Sequence, residues 1–68
     1  LSQKGVRDRI LVYFSTLPVS SRGIITLPFS KTKMAEFLGL NRSAMSRELH
    51  RMEEDGLIAV NGRRIHLL

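Results

Sequence analysis

Apolar residues along this chain alternate between two spacings, and each switch marks a new element. In residues 2–17, SQKGVRDRILVYFSTL, Val6, Ile10, Phe14 and Leu17 recur at helical spacing, with Leu11 and Tyr13 flanking them. Ser2 is placed to cap this helix. Pro18 ends it, because the residue before a proline avoids the helical region. Gly5 weakens the first turn and blurs the start by a few residues. The next segment, PVSSRG at 18–23, is rich in turn formers. IITLP at 24–28 is β-branched and closes on a proline, as a short edge strand does. Phe29 then sits just before a capping serine, in position to staple the following helix.

Residues 30–56, SKTKMAEFLGLNRSAMSRELHRMEEDG, organise the rest. Ser30 caps a short helix over Lys31–Leu38, and Gly39 supplies the positive φ that ends it. Leu40 plugs the corner. Asn41 caps a second helix running from Arg42 to about Asp55, and Gly56 ends that one. Ala35 is small enough to let the two helices approach. Met34, Leu38, Leu40, Met45 and Leu49 then meet inside the corner. Two helices with three connecting residues and a glycine form a helix-turn-helix. A plain helical hairpin from a small bundle is the bland alternative.

The last residues read as two strands. LIAV at 57–60 and RRIHLL at 63–68 flank Asn61-Gly62, a pair suited to the two positive φ angles of a type I′ turn. Arg63, Ile65 and Leu67 then share one face, and Arg64, His66 and Leu68 the other. The fold class that follows is mainly α with a small β component. It is a winged helix-turn-helix, with a three-helix core and a β-hairpin wing, filling 1–68 as one domain.

Charge turns this scaffold toward a ligand class. Eleven Lys and Arg oppose six Asp and Glu, a net charge of +5 that suits a polyanionic partner. The distribution is uneven. Glu48, Glu53, Glu54 and Asp55 crowd the second half of the second helix-turn-helix helix, leaving the remaining chain strongly basic. With Met45 set inward and about 100° per residue, Leu49 and Met52 fall on the buried side. Ser43, Arg47, His50 and Glu54 point outward, with Ser46 and Arg51 on the flanks.

Short polar side chains plus arginine are what a helix reading a DNA major groove presents, since guanidinium matches O6 and N7 of guanine. Arg42, Ser43, Ser46, Arg47 and His50 are therefore the candidate base readers. The acidic end would be repelled by phosphates, so the helix enters N-terminus first. An ordinary solvated face, laced by His50–Glu54 and Arg51–Asp55 pairs, is the competing reading. Ser30, Lys31 and Thr32 open the first of the two helices, where free N–H groups favour phosphate. Asn61, Gly62 and Arg63 form the wing tip, suited to the duplex backbone.

The stretch ITLPFSKTKMAEFLGLNRSAMSRELHRMEEDGLIAVNGRRIHLL resembles the DNA-binding domain of the Crp/Fnr family of bacterial regulators. The likeness extends to the preceding helix, VRDRILVYF. Its most specific parts are LGLNRSAMSREL and the L-x-x-M-E-x-x-G-L-I pattern. The family motif Ser-Arg-Glu-Thr-Val-x-Arg is replaced here by Asn41, Arg42, Ser43, Ala44, Met45, Ser46 and Arg47. By resemblance, Arg47 reads a guanine and Arg42 contacts a base or phosphate. Ser43 stands where the family has a glutamate that accepts from cytosine. Ala44 lacks the hydroxyl often used on a phosphate. The family's half-site is therefore not transferable.

The resemblance further implies transcriptional control of double-stranded DNA by a homodimer in the cytoplasm, with RNA polymerase as a candidate partner. Because the chain opens on Leu1, it is read as the C-terminal part of a longer regulator whose effector site lies elsewhere. No cofactor is implied for these residues, and no apolar run approaches a membrane span. A winged helix serving only protein–protein contact is the alternative. Catalysis is set aside: cysteine is absent, and neither a metal-ligand spacing nor a phosphate-binding glycine loop occurs.

Overall fold

A computed structural model describes residues 5–68, in which local capping rules account for most element boundaries. The order is α1 (Val6–Ser15), β1 (Ile24–Thr26), α2 (Lys31–Leu38), α3 (Arg42–Glu54), β2 (Ile58–Asn61) and β3 (Arg64–Leu67). Three helices and a three-stranded antiparallel sheet ordered β1-β3-β2 make a winged helix-turn-helix. No helix among the described residues is long and apolar enough to cross a membrane.

The helix-turn-helix is set by short-range chemistry. The Ser30 hydroxyl accepts the Lys33 N–H at 3.3 Å, and the Asn41 side chain accepts that of Ala44 at 3.1 Å. At the corner, Gly39 has φ 67, in the left-handed region. The Leu40 N–H reaches back to the Ala35 carbonyl at 2.8 Å and that of Gly39 to Glu36 at 3.1 Å. This pair of bonds satisfies carbonyls that the end of α2 leaves open. A Cβ on Gly39 would meet only open space, so the backbone angle alone requires glycine there.

Ahead of the hairpin, three elements differ in extent from the sequence reading. α1 starts at Val6, with extended Gly5 at its cap, and ends at Ser15 before Leu17. The hydroxyls of Ser15 and Thr16 turn back onto the carbonyls of Val12 and Tyr13, at 2.6 and 2.7 Å, which closes the last turn early. Ser2, the expected cap, lies outside the described residues. Tyr13 joins Ile10 and Phe14 in the core, whereas Leu11 is 40% exposed and does not flank it. β1 stops at Thr26, short of Pro28. α3 ends at Glu54, and Asp55 is its C-cap.

The hairpin is displaced by one residue. Asn61 pairs with Arg64, so the two-residue loop is Gly62-Arg63 rather than Asn61-Gly62. Gly62 has φ 61, and no non-glycine residue among those described has a positive φ. One positive angle at the first loop position is the type II′ pattern, so the expected type I′ turn is corrected. Arg63 consequently leaves the strand and does not share a face with Ile65.

All six elements contribute to one core. Ile10, Phe14, Ile25, Leu27, Met34, Ala35, Met45, Leu49, Met52, Ile58 and Ile65 are buried, with Leu38, Leu40, Phe29 and Val60 packed around them. Ile65, on the central strand, is fully enclosed between Ile25 and Val60 in the ladder. Phe29 packs against this core with its ring 5.9 Å from that of Phe37 in α2. Burying one such aliphatic side chain contributes roughly 1.5–3 kcal/mol. The function of this packing is to hold α3 against both α2 and the wing.

Candidate nucleic-acid interface

α3 carries a buried stripe of Met45, Leu49 and Met52, which fixes its opposite side toward solvent. Arg42, Ser43, Ser46, Arg47 and His50 are all exposed, as the periodicity requires. Cap chemistry contributes as well. Asn41 satisfies the Ala44 N–H, but the first N–H groups of α3 have no intrahelical acceptor and face outward with the helix dipole. The same holds at α2, where Ser30 caps Lys33 and leaves the N–H groups of Lys31 and Thr32 available.

The helix-turn-helix corner places Lys31 of α2 beside Ser46 and His50 of α3, around a shallow hollow of ≈ 210 Å³ that also reaches Val60 of the wing. A second hollow of ≈ 400 Å³ runs along α3 past Ser46, Arg47, His50, Arg51 and Glu54. The two hollows share Ser46 and His50, which stand between them on the outward side of α3. Arg42 and Ser43 lie at its leading end on the first turn of α3, and Ser30 and Thr32 at the start of α2. Asn61, Gly62 and Arg63 are exposed at the hairpin tip, separate from both hollows.

Charge on this surface divides sharply. Among the described residues, neither Arg42 nor Arg47 forms an ion pair or side-chain hydrogen bond. The acids have partners. Arg7 of α1 donates to Glu48 at 2.6 Å and to Asp55 at 2.8 Å. Glu48 also meets Arg51 at 3.3 Å, Glu54 meets His50 at 3.5 Å, and Glu53 accepts the Val60 N–H at 3.0 Å. The Arg7 hydrogen bond holds the Glu48 carboxyl below its ordinary range, outweighing the opposite push of burial. Glu48 and then Asp55 hold the Arg7 guanidinium above its own.

The Arg51–Asp55 pair of the competing solvated-face reading is absent, because Arg7 takes Asp55 and Glu48 takes Arg51. The His50–Glu54 contact of that reading does form, at 3.5 Å between well-exposed side chains, where a surface contact adds little and yields readily to another ligand. Arg63 has a role that its sequence position hides. Its Nε donates to the Leu27 carbonyl at 3.1 Å, while its own carbonyl accepts the Leu27 N–H at 2.7 Å. One arginine therefore clips the wing loop to the end of β1.

Arg7 and Glu53 are the interface-supporting residues that sequence reasoning missed. Arg7 lies 41 positions from Glu48, and no local rule links them. The Glu53–Val60 bond spans the helix end and the strand, and carries no periodic signal. The family model for the Crp-like helix-turn-helix domain matches residues 8–68. No curated protein matches the chain.

Proposed function

Because the chain belongs to the Crp-like helix-turn-helix family, a family of DNA-binding domains of transcription regulators, we propose that it binds double-stranded DNA sequence-specifically. The reading helix is α3, entering the major groove by its N-terminal half. Arg47 provides a bidentate fork for a guanine, and Arg42 a second cation at the groove or its edge. Ser43, Ser46 and His50 offer hydrogen bonds to neighbouring base edges. Ser30, Lys31 and Thr32 hold one phosphate strand, and the wing tip, Asn61, Gly62 and Arg63, lies along another stretch of backbone. The observation that carries this reading is the pair of exposed, unpartnered arginines on a face whose acids are turned to internal work.

Phosphate contacts position the domain and base contacts specify the site. A single domain makes few of either. We infer that two copies act together on half-sites about one helical turn, roughly 34–36 Å, apart. Ser43 in place of the family glutamate removes the acceptor for a cytosine amino group, so the selected half-site differs from the family's at that base pair.

The test is selection from random duplex pools, at several salt concentrations, by this chain and by a version joined as a dimer. Enrichment of a palindromic site by the dimer supports the reading. Absence of binding by both forms at low salt would overturn it and favour a protein-contact role instead.

A further inference from the structure

The sheet's free edge shows how the wing is aimed. In the β2–β3 ladder the Leu68 N–H donates to the Leu57 carbonyl at 3.0 Å, and Val60 stands opposite Ile65. Antiparallel pairing alternates, so residues 57, 59 and 61 direct their polar backbone groups toward β3 and Val60 directs its own outward. β2 is an edge of the sheet, with no further strand to receive that N–H. Its acceptor is the Glu53 carboxylate, 3.0 Å away, in the last turn of α3. This bond joins the recognition helix to the wing one residue before the hairpin tip begins. Glu53 and Val60 also border the hollow shared by Lys31, Ser46 and His50, so the bond lies against the reading surface itself.

We propose that Glu53 is a positioning residue for DNA recognition: by holding the Val60 N–H it fixes the wing tip at a set distance and angle from the base-reading face of α3. The proposal rests on the DNA reading given above and assigns Glu53 no contact with DNA. An acid this close to the duplex opposes binding by its charge, which makes its use as a backbone acceptor the reason for its place. Packing alone does not supply the same constraint, since Val60 is only half-buried. Without the bond β2 loses its tie to α3 while the Arg63–Leu27 bonds still hold the loop to β1, so the angle between wing and reading face relaxes and Asn61, Gly62 and Arg63 shift against the phosphates.

Glu53→Gln and Glu53→Leu separate the bond from the charge. Both remove the negative charge, but only the glutamine keeps a carbonyl that accepts the Val60 N–H. We expect the Val60 amide to exchange with solvent slowly in the wild type and in Glu53→Gln, and faster in Glu53→Leu. On a selected duplex, Glu53→Leu should bind about two- to tenfold more weakly than Glu53→Gln, the range for one lost hydrogen bond. Its log–log salt slope should be lower by about one phosphate contact. Discrimination at the guanine read by Arg47 should remain. Equal salt slopes and affinities for the two variants would overturn the positioning role. So would a Val60 amide equally exposed in wild type and Glu53→Leu. If the wild type selects no duplex, the DNA reading fails instead, and the amide exchange still judges the bond.

Discussion

The two halves of α3 have opposite uses for their charges. In the N-terminal half Arg42 and Arg47 are exposed, and no group of the described chain neutralises them. In the C-terminal half Glu48, Glu53, Glu54 and Asp55 are engaged by Arg7, Arg51, the Val60 N–H and His50. The partnered half ties α3 to α1 and to the wing. The unpartnered half is left for a ligand outside the molecule. One helix thus carries a structural strut at one end and, in the DNA reading proposed above, a reading head at the other.

The first way to break this comparison is to remove what both halves share. Met52 is fully buried under the acidic end, and Met52→Ala should cost about 2–5 kcal/mol of stability. Chemical denaturation would measure it, and DNA binding would fall only as the folded fraction falls. Arg47→Ala should do the reverse. It should cost about 1–3 kcal/mol of binding at one base pair, with the unfolding midpoint unchanged. Lys31→Ala sharpens the distinction between holding and reading: affinity should drop alike for all duplexes, and the salt slope should fall by roughly one.

Arg7→Gln should have the smallest effect and the most distinctive pH dependence. The folded-state pKa of Glu48 is depressed, so the pair's contribution is fully present above the carboxyl's unfolded value. It disappears as pH falls through the lower folded value. The variant should therefore melt a little below wild type near neutrality, by at most a few degrees, and together with it in acid below the lowered folded value of Glu48. Thermal melts across that range would show whether the two curves converge. Divergence at low pH would mean that Arg7 acts through packing of its stem instead.

Parts of the molecule governed by neighbouring residues were legible in the sequence. Ser30, Gly39 and Asn41 each act through bonds within five residues, and α2 begins and ends where they place it. The outward set on α3 followed from one buried stripe. The hairpin loop did not follow, for a definite reason. A loop at Asn61-Gly62 would set Ile58 opposite Ile65, and the observed loop sets Val60 there, so apolar alternation fits either register. Two features distinguish them, one tertiary and one local: the Leu27–Arg63 bonds to β1, and a turn that asks only Gly62 for positive φ. The Arg51–Asp55 pair of the solvated-face reading failed similarly, because helical spacing cannot foresee a competitor arriving from α1.

A double-mutant cycle between Arg47 and a guanine in the selected site isolates the contact on which recognition by α3 rests. It combines Arg47→Ala with replacement of that base pair and measures each affinity at fixed salt. Arg51→Ala, which removes a cation already paired with Glu48, serves as the reference. Each single change should cost about 1–3 kcal/mol, while the double change should cost little more than either alone. The Arg51→Ala cycle should show additive, small effects. Additive losses for Arg47, or equal losses on every duplex, would contradict a reading role and leave α3 as a basic surface without a code.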